Sequence, residues 1–199
     1  VADQLVKVWR KNGEETWVLI HIEVQAQQQA EFAQRMYVYD YRIYDRYHRA
    51  VASFAILADE HANWRPSEYR RELWGSSSTF RFPVVKMLDY QDQWDRLEAS
   101  NNQFAMVVQA QLKTLETQQD QTNRARWKVR LAKALYQRGF SKADILKLYR
   151  LIDWLMVLPE DLEKLCFEEI QHFEEEQRMP YITTAERIGI EKGLKQGLE

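Results

Sequence analysis

The run Thr16–Gln25, TWVLIHIEVQ, constrains this chain more than any other stretch. It is rich in β-branched and aromatic residues and reads as a buried strand. Successive side chains on a strand point to opposite faces. His21, Glu23 and Gln25 therefore share one face, and Ile20, Ile22 and Val24 share the other, where they are expected to supply core. A buried carboxylate without a partner costs several kcal/mol. Glu23 therefore needs a cation, and Lys7 or a divalent metal are the candidates.

Ala2–Arg10 reads as a preceding strand, and Lys11-Asn12-Gly13 as the turn between two strand-like runs, a strong hairpin signal. A two-residue Asn12-Gly13 turn would set Asp3 opposite Ile22. A three-residue turn with Gly13 left-handed would set Asp3 opposite His21. Only the second keeps Val6, Val8, Val18, Ile20, Ile22 and Val24 on one apolar face, with Asp3, Lys7, His21, Glu23 and Gln25 on the other. A one-residue slip would mix the two sets, so the second register is expected.

Downstream, Phe32, Met36, Tyr39, Ile43 and Tyr47 recur at helical spacing, predicting one helix over Gln27–Arg49. Ala50–Asp59 predicts a third strand, buried on both faces. His61–Ser78 reads as loop, and Thr79–Leu88 as a fourth strand with Pro83 marking an edge or bulge. From Asp89 the pattern is helical: Asp89–Ala99, Asn102–Glu116, Gln119–Gly139, Lys142–Val157 and Glu160–Arg178. Gly139, Ser141 and Pro159 supply a stop, an N-cap and a start. Gly189, Gly193 and Gly197 mark a glycine-spaced helical tail. The order predicts an α/β (α+β) fold, a mixed-sheet core over 1–90, a helical region over 91–180 and the tail over 181–199.

The 199 residues carry 29% charged and 13% aromatic side chains, a composition that argues against disorder. A net charge of −2 excludes a globally basic nucleic-acid binder, so any DNA contact must be a local patch. Cys166 is the single cysteine, which excludes an internal disulfide framework and points to a reducing, cytoplasmic location. The longest near-continuous apolar run, Ala50–Ala58, is far short of the roughly 20 residues of a membrane span. The first residue is Val1, inside a strand-like run, so an N-terminal piece is expected to be missing.

Two carboxylates and an amide at a strand end suit a hard divalent cation, with Asp3 and Glu23 as oxygen ligands and Gln25 holding a water. An Asp at a strand start, a hairpin, then Glu-x-Gln before a helix resembles the PD-(D/E)xK nuclease superfamily. More closely, ADQLVKVW, HIEVQ, FAQRMYVYDYRIYDRY and FRFPVVKMLDY resemble the recombination-promoting nuclease (Rpn-like) and transposase family of bacteria. LYRLIDWLMVLPEDLE and MPYITTAERIGIEKG resemble its cyanobacterial-type members. The resemblance implies a restriction-endonuclease-like fold and DNA cleavage dependent on Mg²⁺ (or Mn²⁺), with Asp3, Glu23 and Gln25 as catalytic residues and Asp3 and Glu23 as metal ligands. It further implies a role in recombination or mobile-element movement. Gln25 stands where the wider superfamily has lysine; glutamine can orient water but is neither cation nor base at neutral pH. The helix that the superfamily places before the Asp strand does not precede Asp3 here.

Four basic residues are candidate DNA contacts. Arg35, on the first helix, is placed to reach a phosphate or to pair with Glu31 (i, i+4). Arg126, Arg130 and Lys133 share a helix face within a stretch, Arg124–Arg138, that holds no acid; the alternatives are a solvated helix face or pairing with the acidic run Glu168–Glu176, itself expected to be a solvent face. The tyrosines Tyr37–Tyr47 and His21 read as core before they read as ligands. The competing expectations are a non-catalytic nuclease-fold module whose helical half and tail recruit partners or self-associate as a homo-oligomer, and a nucleic-acid binder that uses the helix Gln119–Gly139 and cuts nothing.

Overall fold

The structure, a computed structural model, describes residues 4–9 and 15–182, with side chains placed from Val18 onward. Among these, the elements are β1 (Gln4–Trp9), β2 (Glu15–Gln25), α1 (Phe32–Tyr47), β3 (Val51–Leu57), β4 (Glu68–Leu73), β5 (Ser76–Arg81), β6 (Val84–Lys86) and a 3₁₀ segment over Met87–Gln93. Helices α2 (Trp94–Glu98), α3 (Gln103–Glu116), α4 (Gln121–Gln137), α5 (Lys142–Leu155) and α6 (Glu160–Gln177) follow. The chain divides into two units, Val1–Asp89 and Tyr90–Glu199. It is a mixed α/β protein, as the pattern of elements predicts.

The first unit holds a four-stranded sheet ordered β1-β2-β3-β6, antiparallel between β1 and β2 and parallel thereafter. β1 pairs Gln4 with Ile20 through Trp9 with Glu15, the second of the two registers the sequence allows. Asp3 and the turn residues Lys11–Gly13 lie outside the described residues. β2 and β3 pair His21 with Ser53, Glu23 with Ala55 and Gln25 with Leu57. α1 covers this His21–Gln25 face: Phe32 and Met36 are buried with Ala55, Leu57 and Phe82, and Trp64 and Phe80 pack alongside.

The expected core face is therefore reversed. Ile22 and Val24 are 56% and 59% exposed, and Phe54, their neighbour on β3, is 39% exposed. β3 is buried on one face only. The reason lies in the crossover: α1 lands on the side of the sheet that carries the polar residues, and their hydrogen-bonding needs are met there. α1 also begins at Phe32, five residues later than expected, because no Ser, Thr, Asp or Asn stands at its start and Glu31 makes no side-chain cap.

A second hairpin occupies the predicted loop. β4 and β5 pair around Trp74-Gly75, whose φ angles of +49° and +84° make a turn with both central residues left-handed. The expected fourth strand is two strands, broken at Phe82-Pro83, since proline cannot donate to the ladder. Tyr69 of β4 stacks on Tyr37 of α1 at 5.2 Å, holding the hairpin to the helix. At the carboxyl ends of β3 and β6, Lys86 and Asp59 form a pair 0% and 1% exposed, with Nζ–O distances of 2.7 and 2.6 Å. Asp59 also accepts the His61 amide at 2.8 Å.

In the second unit α3–α6 enclose one core of Met106, Val129, Leu135, Ile145, Ile152, Met156 and Ile170 among others. Asn102, Asp120 and Ser141 cap α3, α4 and α5 with their side chains. Glu174 departs from the expected solvent face. It is fully buried and accepts the Tyr136 hydroxyl and the amides of Tyr181 and Ile182, the latter at 3.0 and 2.6 Å. Burial, then the Glu174 carboxylate, push the Tyr136 hydroxyl pKa up. Burial also pushes the Cys166 thiol up to about 11.

Two predictions follow from these buried groups. Lys86→Met leaves Asp59 a buried, unpaired charge and is expected to cost about 3–5 kcal/mol in urea unfolding, while Lys86→Met/Asp59→Leu lies nearer the wild type. Single costs that simply add would show that the pair is not coupled. Cys166 keeps its proton in the folded state where the unfolded chain loses it. Its contribution is thus complete below the ordinary thiol pKa near 9 and falls as pH rises toward about 11. Cys166→Ala should flatten the alkaline limb of the stability profile.

Candidate functional site

The candidate site is built on the last residues of β2, where strand alternation sets His21, Glu23 and Gln25 side by side under α1. His21 is 6% exposed, Glu23 26%, and Gln25 is buried. Arg35 descends from α1 onto this row. Its Nη2 donates to Gln25 Oε1 at 2.5 Å and lies 3.2 Å from Glu23 Oε1, and its Nη1 donates to Gln29 Oε1 at 2.5 Å. Glu23 and Gln25 thus converge on one guanidinium nitrogen. Gln25 Nε2 donates in turn to the Gln27 carbonyl at 2.6 Å. Among the described residues one amide proton and one carbonyl lone pair of Gln25 have no partner.

Among the described residues the cation beside Glu23 is Arg35; the Lys7 side chain lies outside them. Of the two expectations for Arg35, the helix pair with Glu31 is not formed by its side chain. The helix turns the guanidinium inward to the sheet, and only the backbone amide of Arg35 bonds Glu31. The guanidinium also lies 5.3 Å from the Phe32 ring centroid.

His21 is tied at one end. Its Nδ1 is 3.1 Å from Ser53 Oγ, and Ser53 Oγ donates to Asp40 Oδ2 at 2.8 Å. The other ring nitrogen, Nε2, has no hydrogen bond and sits 3.8 Å from Glu23 Oε2. The reading of His21 as a satisfied core histidine therefore holds for half of the ring. Tyr39 meets the ring edge-on at 5.6 Å. Ser53 and Asp40 escape the sequence reading, although both carry a signal. Ser53 is the one polar residue in Ala50–Ala58, and Asp40 continues the Phe32–Met36 stripe at i+4.

Asp3, the other expected ligand, lies outside the described residues. Among the described residues no three His, Cys, Asp or Glu side chains group closely enough to hold a metal ion unaided. Among the described residues the donor set is the Glu23 carboxylate and His21 Nε2, which has no hydrogen bond.

The basic stretch of α4 divides. Lys128 is fully buried, clamped by Asp153 at 2.6 Å and Glu163 at 2.6 Å. Arg124 ties the ends of α3 and α5 through the carbonyls of Thr114 and Val157. Arg138 bonds the Ser100 carbonyl and Gln109. Arg126, Arg130 and Lys133 do share a face, lining a shallow groove of about 390 Å³ with Gln137 and Glu169. Arg130 pairs with Glu98 at 2.7 Å and Lys133 with Glu169 at 2.7 Å. Arg126 is exposed and has no partner among the described residues. No helix among the described residues is long and apolar enough to cross a membrane.

Compared with known proteins, the chain matches no family model, no curated protein and no solved structure.

Proposed function

We propose that this chain is a metal-dependent DNA endonuclease with a restriction-endonuclease-like core, acting in recombination or mobile-element movement in the cytoplasm. The supporting observation is the convergence of Glu23 and Gln25 on Arg35 at the carboxyl end of a strand that is antiparallel to β1 and parallel to β3. Open sheets place their sites at such strand ends. The Glu-x-Gln pair and the expected hairpin register agree with the family resemblance on the same residues.

In this reading Glu23, with Asp3, holds a Mg²⁺ or Mn²⁺ ion. When bound, the ion polarises a phosphodiester and acidifies a water. The chain's own groups do the positioning. Gln25 orients a water through its uncommitted amide proton. Arg35 fixes the Glu23 carboxylate and offsets negative charge as a phosphate approaches. Arg126, Arg130 and Lys133 hold the DNA backbone.

The engagement of Glu23 and Gln25 by Arg35 favours a second reading, a nuclease-fold module that binds DNA or protein without cutting. Supercoiled plasmid with Mg²⁺ separates the two. The endonuclease nicks it, and Glu23→Ala lowers the rate at least 100-fold, the size expected for loss of a group acting in the transition state. Nicking that survives Glu23→Ala, or that never occurs, leaves the second reading.

DNA retention is a separate prediction. Arg126→Glu is expected to weaken a gel shift evenly across sequences and to lower the salt slope by about 1, since it removes one phosphate contact. An unchanged slope would remove α4 from the contact surface.

A further inference from the structure

The hydrogen-bond chain Asp40–Ser53–His21 assigns the proton on the histidine ring. Ser53 Oγ gives its single hydroxyl proton to Asp40 Oδ2. Ser53 Oγ must then accept at its other contact, and the donor there is the Nδ1–H of His21. The neutral ring consequently carries its lone pair on Nε2. That atom is buried, has no hydrogen bond, and faces Glu23 Oε2 at 3.8 Å. Arg35 engages the opposite oxygen of the same carboxylate, Oε1. A buried ring nitrogen without a donor of its own thus faces the Glu23 carboxylate.

We propose that His21 Nε2 and Glu23 Oε2 together bind a first-row transition-metal dication, Mn²⁺ or Co²⁺. This rests on the proposed metal role of Glu23 and changes the preference of the site. Imidazole suits transition metals, whereas Mg²⁺ prefers oxygen throughout. Metal–ligand bonds of about 2.1 Å place neighbouring ligand atoms roughly 3.0–3.5 Å apart, so the gap closes by a few tenths of an ångström. The Asp40–Ser53 chain fixes ring tautomer and orientation from behind, the arrangement that second partners of metal-bound histidines make. Asp40 and Ser53 are accordingly positioning residues.

The test uses the full chain with Mn²⁺ alone and no DNA. Pulsed EPR of bound Mn²⁺ is expected to show coupling to one imidazole nitrogen, and calorimetry gives the affinity. His21→Gln should abolish the coupling and weaken Mn²⁺ binding at least 10-fold, while changing Mg²⁺ binding less than about 2-fold. Ser53→Ala, which keeps the ligand and removes its support, should retain the coupling and weaken Mn²⁺ binding about 10-fold. It also serves if His21→Gln does not fold. Bound Mn²⁺ without nitrogen coupling, no Mn²⁺ binding, or equal affinity in both variants and wild type each overturn the proposal. A histidinium–Glu23 ion pair without metal gives the second of these results. Plasmid nicking without nitrogen coupling sinks this inference and leaves the endonuclease reading; coupling without nicking does the reverse.

Discussion

The N-terminal unit depends on one requirement, that the polar side chains of β2 be satisfied where α1 covers them. His21, Glu23 and Gln25 alternate onto a single face, and each would be costly if buried without a partner. Arg35 answers Glu23 and Gln25, and the Ser53–Asp40 chain answers His21. These contacts fix how α1 lies over the parallel pair β2 and β3. A change of one residue in strand register would turn all three groups to the other face and leave Arg35 and Ser53 unmatched.

The apolar partners are correspondingly few. Phe32, Met36, Ala55, Leu57 and Phe82 form a small cluster, and the carboxyl edge of the sheet is held by the buried Lys86–Asp59 pair beneath Trp64. Burying an ion pair adds little net stability compared with apolar packing, but it is intolerant of losing one member. It makes the strand ends specific in arrangement, and specificity at the strand ends is what a site there requires. The helical unit uses the same device: Lys128 of α4 is clamped by Asp153 and Glu163, and Glu174 of α6 gathers Tyr136 and two backbone amides.

Several features were legible in the residues. The β1–β2 register followed from hydrophobic alternation, and the cap at Ser141 and the left-handed Gly139 follow from local chemistry. The β4–β5 hairpin was hidden because its turn is Trp74-Gly75 instead of Asn-Gly, and its strands are charged and serine-rich with no clean alternation. At the site, the shared face of Glu23 and Gln25 was visible, but the partner of Glu23 was not. Arg35 sits ten residues beyond Gln25, and only the packing angle of α1 turns its guanidinium inward.

By itself the sequence determined periodicity: which residues share a strand face, which share a helix stripe, and where each run starts or stops. These are local properties, set by the two-residue repeat of a strand and the 3.6-residue repeat of a helix. Only the tertiary structure decided which face of the sheet is covered. Alternation is symmetric between the two faces, and a helix crossing to either side satisfies the same pattern. The side chosen made Ile22 and Val24 surface, brought Arg35 to Glu23, and left one nitrogen of His21 facing a carboxylate.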